Sequence, residues 1–322
     1  LSNEPKAGTP LASWNEGSAK AAIVAFVRAT TDPASPDFVS EKDRIATFDQ
    51  DGTLWVEHPC YAQLAFVLYR LAELAPLHPE WKGTEPFKSA LAGDLAAFAR
   101  FTMADLEALV MATHAGMSTA AFEGIVAEWA AKAKHPRWGR PYMDLIYQPM
   151  LEVMGYLRSH GFKVYIVTGG GQAFVRAYAD RVYDTPPEHV IGSSLTTQFE
   201  YDASGEVMLM RPEKLLLYND AAGKPQDIYL FLGRPPRAAF GNSTGDQQML
   251  EYAQSGGGAR LMTLIVHDDA EREFAYGPGS GNHDTKFGAF TQALYDEAKA
   301  KGWVIVSMKE DWKTIFPFES PA

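Results

Sequence analysis

Two carboxylates one residue apart, Asp49 and Asp51, sit in the run Asp49-Gln50-Asp51-Gly52-Thr53-Leu54, entered through the apolar Ile45-Ala46-Thr47-Phe48. A β-rich run that ends in acids and then Gly and Thr reads as a strand delivering acid side chains to a turn. Residues two apart on an extended chain share a face, so both carboxylates would aim at one point. Like charges held together repel unless a cation or a proton lies between them. Such a pair is suited to a divalent-metal site, to acid/base work, or to both. The alternative is a capped strand end, in which Asp and Gly are ordinary turn residues.

Three further stretches carry chemistry. The apolar run 163–167 ends in Thr168, and Gly169-Gly170-Gly171 then opens an expected helix. A hydroxyl beside free backbone N–H groups at a helix N-terminus is an anion site. Lys224 lies in Ala222-Gly223-Lys224-Pro225, 18 residues before Asn242 (242 − 224), with Lys214 as a second candidate cation. The stretch Phe240-Gly241-Asn242-Ser243-Thr244-Gly245-Asp246 follows another expected strand and contains Gly-x-Ser-x-Gly. That pattern fits the nucleophile elbow of serine hydrolases, with Ser243 as nucleophile and Asp268, Asp269, His283 and Asp284 available downstream. The elbow reading leaves residues 49–54 and 168–170 without a purpose.

The elements that must position these groups follow from periodicity. Helical spacing is expected over 17–29, 61–74, 88–98, 103–114, 118–134, 147–160, 172–182, 212–218, 247–254 and 287–301. Strands are expected over 44–49, 163–168, 190–194, 237–241, 261–266 and 303–307, with a hairpin over 196–210 turning at Asp202-Ala203-Ser204-Gly205. Strands alternating with helices predict an α/β fold with a Rossmann-like three-layer core and a mainly parallel sheet, its functional groups at the carboxyl ends of the strands. Between the first strand and the next α/β unit, residues 56–140 read as an inserted all-helical domain. The core domain is then 16–55 and 141–322, after an extended, poorly ordered lead over 1–15.

The chain of 322 residues has a formal charge of 29 − 40 = −11, which argues against a nucleic-acid partner. No apolar stretch approaches the length of a membrane span. Cys60 is the single cysteine, so neither a disulfide framework nor a cysteine-rich zinc site is available. The sequence starts at Leu1 rather than Met, which points to a periplasmic or secreted protein after signal cleavage; a trimmed cytoplasmic chain is the alternative.

Taken together, the four stretches resemble, in order, the four signature motifs of the haloacid dehalogenase superfamily of phosphohydrolases. The form Thr168-Gly169-Gly170 and the helical insertion, read as a cap, resemble its phosphoserine-phosphatase-like branch. The resemblance implies phosphoryl transfer from a small phosphorylated metabolite. Asp49 is then the nucleophile that forms an aspartyl-phosphate, and Asp51 the acid that protonates the leaving group. Thr168, the Gly169 and Gly170 amides and Lys224 stabilise the phosphoryl oxygens. It also implies Mg2+, held by Asp49, the Asp51 carbonyl, and Asn242 with Asp246. Asn242 departs from the family pattern, which has an acid there that ligates the metal. A second acid at Asp51 favours a phosphatase over a dehalogenase. A phosphomutase, or a catalytically silent binding protein on the same fold, is the other outcome. Glu57 and His58 are expected to face the leaving group and bind substrate. The aromatics Trp81, Phe87, Phe98, Phe101, Trp129, Trp138 and Tyr142 read mostly as core, or else as an enclosure for a cationic leaving group. Arg100 and Arg140 are candidates for a substrate carboxylate.

Overall fold

The computed structural model describes residues 10–98, 100–278, 280 and 287–319. The strands are β1 (Ile45–Phe48), β2 (Met117–Ser118), β3 (Lys163–Gly171), β4 (Val190–Leu195), β5 (Gln198–Tyr201), β6 (Val207–Arg211), β7 (Leu215–Leu217), β8 (Ala238–Gly241), β9 (Leu261–Val266) and β10 (Val304–Ser307). The α-helices are α1 (Ser18–Thr31), α2 (Ala62–Leu74), α3 (Phe87–Leu91), α4 (Leu95–Phe98), α5 (Met103–His114), α6 (Thr119–Lys132), α7 (Gln148–Ser159), α8 (Gln172–Tyr183), α9 (Gly223–Leu232), α10 (Gln247–Ser255), α11 (Gln292–Ala300) and α12 (Met308–Asp311).

A seven-stranded sheet in the order β10-β9-β8-β1-β3-β4-β7 is parallel except for β7, which runs antiparallel to β4 at one edge. Alternate residues of its central strands enter opposite cores, as the two-residue period of a strand requires. Ala46, Phe48, Val164, Ile166, Ala238 and Phe240 pack with α1, α7 and α8 on one face. Val167, Ala239 and Leu264 pack with α9, α10 and α11 on the other. Phe48 and Phe240 face each other across the β1–β8 pair, with rings stacked 4.3 Å apart. A third apolar cluster, including Val67, Leu71, Trp81 and Leu109, holds α2, α3 and α5 together. The sheet thus has helices on both faces, with a helical insertion between β1 and β3.

Chain order explains where a site must lie. From central β1 the chain continues to β3 and β4 on one side, then returns to β8, β9 and β10 on the other. The direction reverses beside β1, so the loops after β1, β3 and β8 open a crevice at the carboxyl ends of three adjacent strands.

Several expectations need correction. Residues 212–218, expected as a helix, contain edge strand β7, because Leu215 and Leu217 pair with Leu195 and Ser194. The three glycines extend β3 instead of opening α8, and the β3–β4 register shifts between Thr168 and Gly171. The helix expected over 88–98 is broken, and the Asp94 carboxylate starts a new turn by accepting from the Ala97 N–H. Helix α11 begins at Gln292, where Thr291 caps it, not at 287. The insertion is not wholly helical: β2 pairs antiparallel with β6 of the hairpin and joins the two. The lead is packed from Leu11 onward, with Ser13 Oγ donating to Glu152 and the Trp14 indole to the Pro149 carbonyl. Among the described residues no helix is long and apolar enough to cross a membrane.

The stacked Phe48–Phe240 pair sits directly beneath the crevice, so Phe240→Ala should destabilise the chain by about 3–5 kcal/mol. Urea denaturation followed by far-UV circular dichroism measures this; a loss below about 1 kcal/mol would mean that the central layer collapses onto the gap.

Candidate active site

Three strand ends converge on one ammonium. Lys224, in the first turn of α9, is buried, and its Nζ lies 2.5 Å from Asp49 Oδ1 and 2.6 Å from Asp246 Oδ1. It also donates to the Val167 carbonyl of β3, at 2.9 Å. Burial alone would drive a proton off Lys224, but the Asp246 and Asp49 carboxylates more than offset this and hold its pKa above that of a free lysine. Lys214, the other candidate, is exposed.

Asp246 spends its second oxygen as well. Its Oδ2 accepts from the backbone N–H groups of Asn242 and Ser243, both at 3.0 Å, and from Ser243 Oγ at 3.1 Å. With both oxygens engaged, Asp246 holds Lys224 and the loop that carries Asn242. Asp49 is raised well above the usual carboxylate range by burial and then by the Asp246 carboxylate, against the pull of Lys224. Asp51, half-buried beyond the end of β1, accepts from the Trp55 indole N–H at 2.7 Å. Burial pushes Asp51 up to about 6, while Trp55 and Lys224 pull it down. A carboxyl poised in that range can give and retake a proton near neutral pH.

The glycine run behaves differently from the expectation. Because it continues β3, the Gly170 N–H donates to Thr168 Oγ1 at 3.0 Å and the Gly171 N–H to Gln63 Oε1 at 2.7 Å. The Gly169 carbonyl accepts from Ser193 Oγ. Gly169 and Gly170 line the cavity, while Thr168 is buried behind them.

Glu57 and His58 part ways. Glu57 is buried, accepts from Asn242 Nδ2 at 2.6 Å and from the Tyr276 hydroxyl at 2.5 Å, and is pushed well above its ordinary pKa, chiefly by burial. The His58 ring packs on Tyr276, 4.1 Å between centroids, with Nε2 3.0 Å from the Phe287 carbonyl. Burial lowers its pKa to about 4, and His58 is not among the residues that line the cavity.

These groups line the floor of a cavity of about 410 Å³. Its opposite wall is apolar and comes from the insertion: Leu64, Val67, Phe98, Leu106, Leu109 and Val110. Of the seven aromatics considered as an enclosure for a cation, Phe98 alone is on this wall; Trp129 and Tyr142 are core, and Trp81 stacks on Phe87. Arg100 and Arg140 do not line it; Arg140 lies over the Phe318 ring. Gln63, which bridges Gly171 to His114 Nε2 at 3.0 Å, and the His114 behind it have no signal in the sequence. Burial lowers His114 to about 3, so it faces the cavity neutral.

Ser243 does not assemble a triad among the described residues. Its Oγ touches Asp246 and accepts from the Gly245 N–H, capping the turn Thr244–Asp246. Asp268 accepts from Ser307 and Lys309, and Asp269 pairs with Arg272. His283 and Asp284 lie outside the described residues.

Replacing Lys224 by Met would leave Asp49 and Asp246 facing each other without the ammonium. Lys224→Met should destabilise by about 3–5 kcal/mol at pH 7.5 and by less at pH 5, where carboxyl protonation relieves the repulsion. Urea denaturation at the two pH values tests this, and an equal loss at both would contradict the ion-cluster account.

Comparison with known proteins agrees with this geometry. Residues 46–251, more than half of the chain, match the family model described as haloacid dehalogenase-like hydrolase. No curated protein sequence matches the chain. Among solved structures, it resembles a conserved functionally unknown protein from Anaerococcus prevotii DSM 20548 (13% identity, 95% of this chain and 98% of that one, TM-score 0.56). It also resembles a protein of unknown function from Bordetella pertussis Tohama I (16% identity, 82% and 97%, TM-score 0.49). A third is a phosphoserine phosphohydrolase-like protein from Francisella tularensis subsp. tularensis SCHU S4 (15% identity, 70% and 88%, TM-score 0.39). The first of these shows the fold alone, whereas the family match runs from within β1 into α10 and includes all four stretches that line the crevice. The chain belongs to the haloacid dehalogenase-like hydrolase family.

Proposed function

We propose that the protein is a magnesium-dependent phosphatase that hydrolyses small phosphomonoesters through an aspartyl-phosphate on Asp49. The observation that carries this reading is Asp49 held by a buried lysine on the floor of the cavity, with a second carboxyl, Asp51, beside it. Lys224 fixes the Asp49 carboxylate through Oδ1, which leaves Oδ2 to attack phosphorus in line. Asp51, steadied by Trp55, gives its proton to the departing alkoxide and then takes one from the water that hydrolyses the intermediate. The Lys224 ammonium favours the charge on the phosphoryl oxygens.

The residues present fit a magnesium ion. Asp49 and Asp246 flank the Lys224 ammonium while Asp51 and Glu57 line the same cavity, so the cluster holds more acid than Lys224 can balance. Among the described residues no three acids, histidines or cysteines form a ready-made cage. Magnesium needs none, since it uses one or two carboxylates with waters and substrate phosphate. Asp49, the Asp51 carbonyl and the Asn242–Glu57 pair would hold it. When bound it would screen the approach of the phosphate dianion to Asp49.

The apolar wall bears on the leaving group. An alcohol with an alkyl or aryl body would bury it against Leu64, Val67 and Leu109, whereas an amino-acid head group would lose its water there. In a series of n-alkyl phosphates, kcat/KM should rise about fourfold per methylene until the cavity is filled, from about 0.8 kcal/mol per buried CH2. Phosphoserine preferred over hexyl phosphate would refute the apolar leaving group.

Phosphate release should require both Mg2+ and Asp49, and Asp49→Asn should abolish it; release that survives EDTA or this substitution would remove the proposal. Asp51→Asn should lose about 10²- to 10⁴-fold on alkyl phosphates and much less on p-nitrophenyl phosphate, whose leaving group needs no proton. Equal losses on both substrates would rule out Asp51 as the acid.

A further inference from the structure

The fourth stretch has an amide, Asn242, where the family pattern has a metal-binding acid, and Asn242 is wholly buried, off the cavity surface. Its side chain is tightly constrained: Oδ1 accepts from Thr53 Oγ1 at 3.2 Å, and Nδ2 donates to Glu57 Oε1 at 2.6 Å. Glu57 comes from the other side of the crevice, just beyond the first stretch. It is 2% exposed and lines the cavity together with Asp49 and Asp51. Asn242 and Tyr276 both bind its Oε1, and its Oε2 has no hydrogen-bond partner among the described residues. Burial holds this carboxyl well above its ordinary pKa, and a cation brought to Oε2 from the cavity that Glu57 lines would favour its charged form.

The backbone is shaped around this carboxylate. Gly52 (φ +75°) and Gly288 (φ +64°) approach it from two loops, and a Cβ on either would fall 2.3 Å and 1.9 Å from Glu57 Oε1. Both positions combine a left-handed φ with no room for a side chain.

We propose that Glu57 supplies the carboxylate ligand for Mg2+ that Asn242 cannot, with Asn242 and Tyr276 as positioning residues that hold Glu57 Oε1 and leave Oε2 for the ion. The negative charge of the site has thus moved from the loop after β8 to the loop after β1, across a 2.6 Å hydrogen bond. An amide at 242 suits this arrangement because its N–H donates to Glu57, whereas an acid there would oppose it. The inference rests on the magnesium reading above and adds the donor.

The test moves the charge back. Glu57→Gln keeps the size of the side chain and an acceptor for Asn242 and Tyr276, and removes only the charge. The double variant Glu57→Gln/Asn242→Asp restores one carboxylate at the other end of the same hydrogen bond. Titration with MgCl2 alone, read as the rise in melting temperature, gives an apparent Kd for each folded protein without using activity. Glu57→Gln should weaken Mg2+ by about 10- to 100-fold, and the double variant should recover most of the loss. Unchanged affinity in Glu57→Gln, with the wild type responding to Mg2+, would overturn the role of Glu57 and leave the magnesium reading standing. A loss that the double variant does not recover would make Glu57 a packing residue and overturn it too. A wild type without any response to Mg2+ would overturn both.

Discussion

Lys224 is the residue on which the arrangement depends. A buried ammonium is stable only where carboxylates stand within hydrogen-bonding distance, and here Asp49 and Asp246 flank it on two sides while the Val167 carbonyl takes a third hydrogen. Those partners end β1, follow β8 and belong to β3, three neighbours at the centre of the sheet. The parallel pairing of these strands brings their carboxyl ends to one level, and the ion cluster closes that level. Asp246 does double service, since its second oxygen also binds the backbone of the loop that carries Asn242 and Ser243.

Around this cluster the chain divides its labour. The floor is rigid, polar and built on strand ends, where positions are set by the sheet. Trp55 steadies Asp51 and Tyr276 steadies Glu57, so the two acids that the ammonium does not bind each have a neutral donor of their own. The wall above is apolar and comes from α2, α4 and α5, whose own core packs apart from the two faces of the sheet. Gln63 is the polar link between them, reaching from α2 to the end of β3. A polar floor on strand ends and an apolar wall from the insertion can be altered separately. Such separation lets one fold serve many esters.

The charge balance of the floor also accounts for Asn242. Asp49 and Glu57 are already held well above their ordinary pKa by burial and by neighbouring acids, and a further acid at 242 would add to that crowding. The amide keeps the oxygen and N–H needed to position its neighbours without adding charge. Glu57, buried beside it, brings a carboxyl group to the same place from the loop after β1.

Much of the fold was legible from periodicity, because strands such as 261–266 and helices such as 103–114 carry their apolar residues at spacings that hold without tertiary help. The α/β class, the insertion after β1 and the hairpin followed from these local patterns. What failed was short or ambivalent: β7 is a strand only because Leu195 and Ser194 lie alongside it, and the glycine run is extended only because β4 shifts register against it.

The four chemical stretches were also local, since the acids, glycines and lysine lie where strands were expected to end. Which lysine was meant, and what each acid touches, was not local. Lys224 and Asp49 are 175 residues apart, and Glu57 and Asn242 are 185 apart. The amino-acid order alone determined which groups could do chemistry and which strands would deliver them. Tertiary structure decided that Lys224 and not Lys214 is buried, that Glu57 lines the cavity while His58 does not, and that Asp246 holds the lysine. Burial and hydrogen-bond satisfaction depend on neighbours distant in sequence, and no spacing along the chain encodes them.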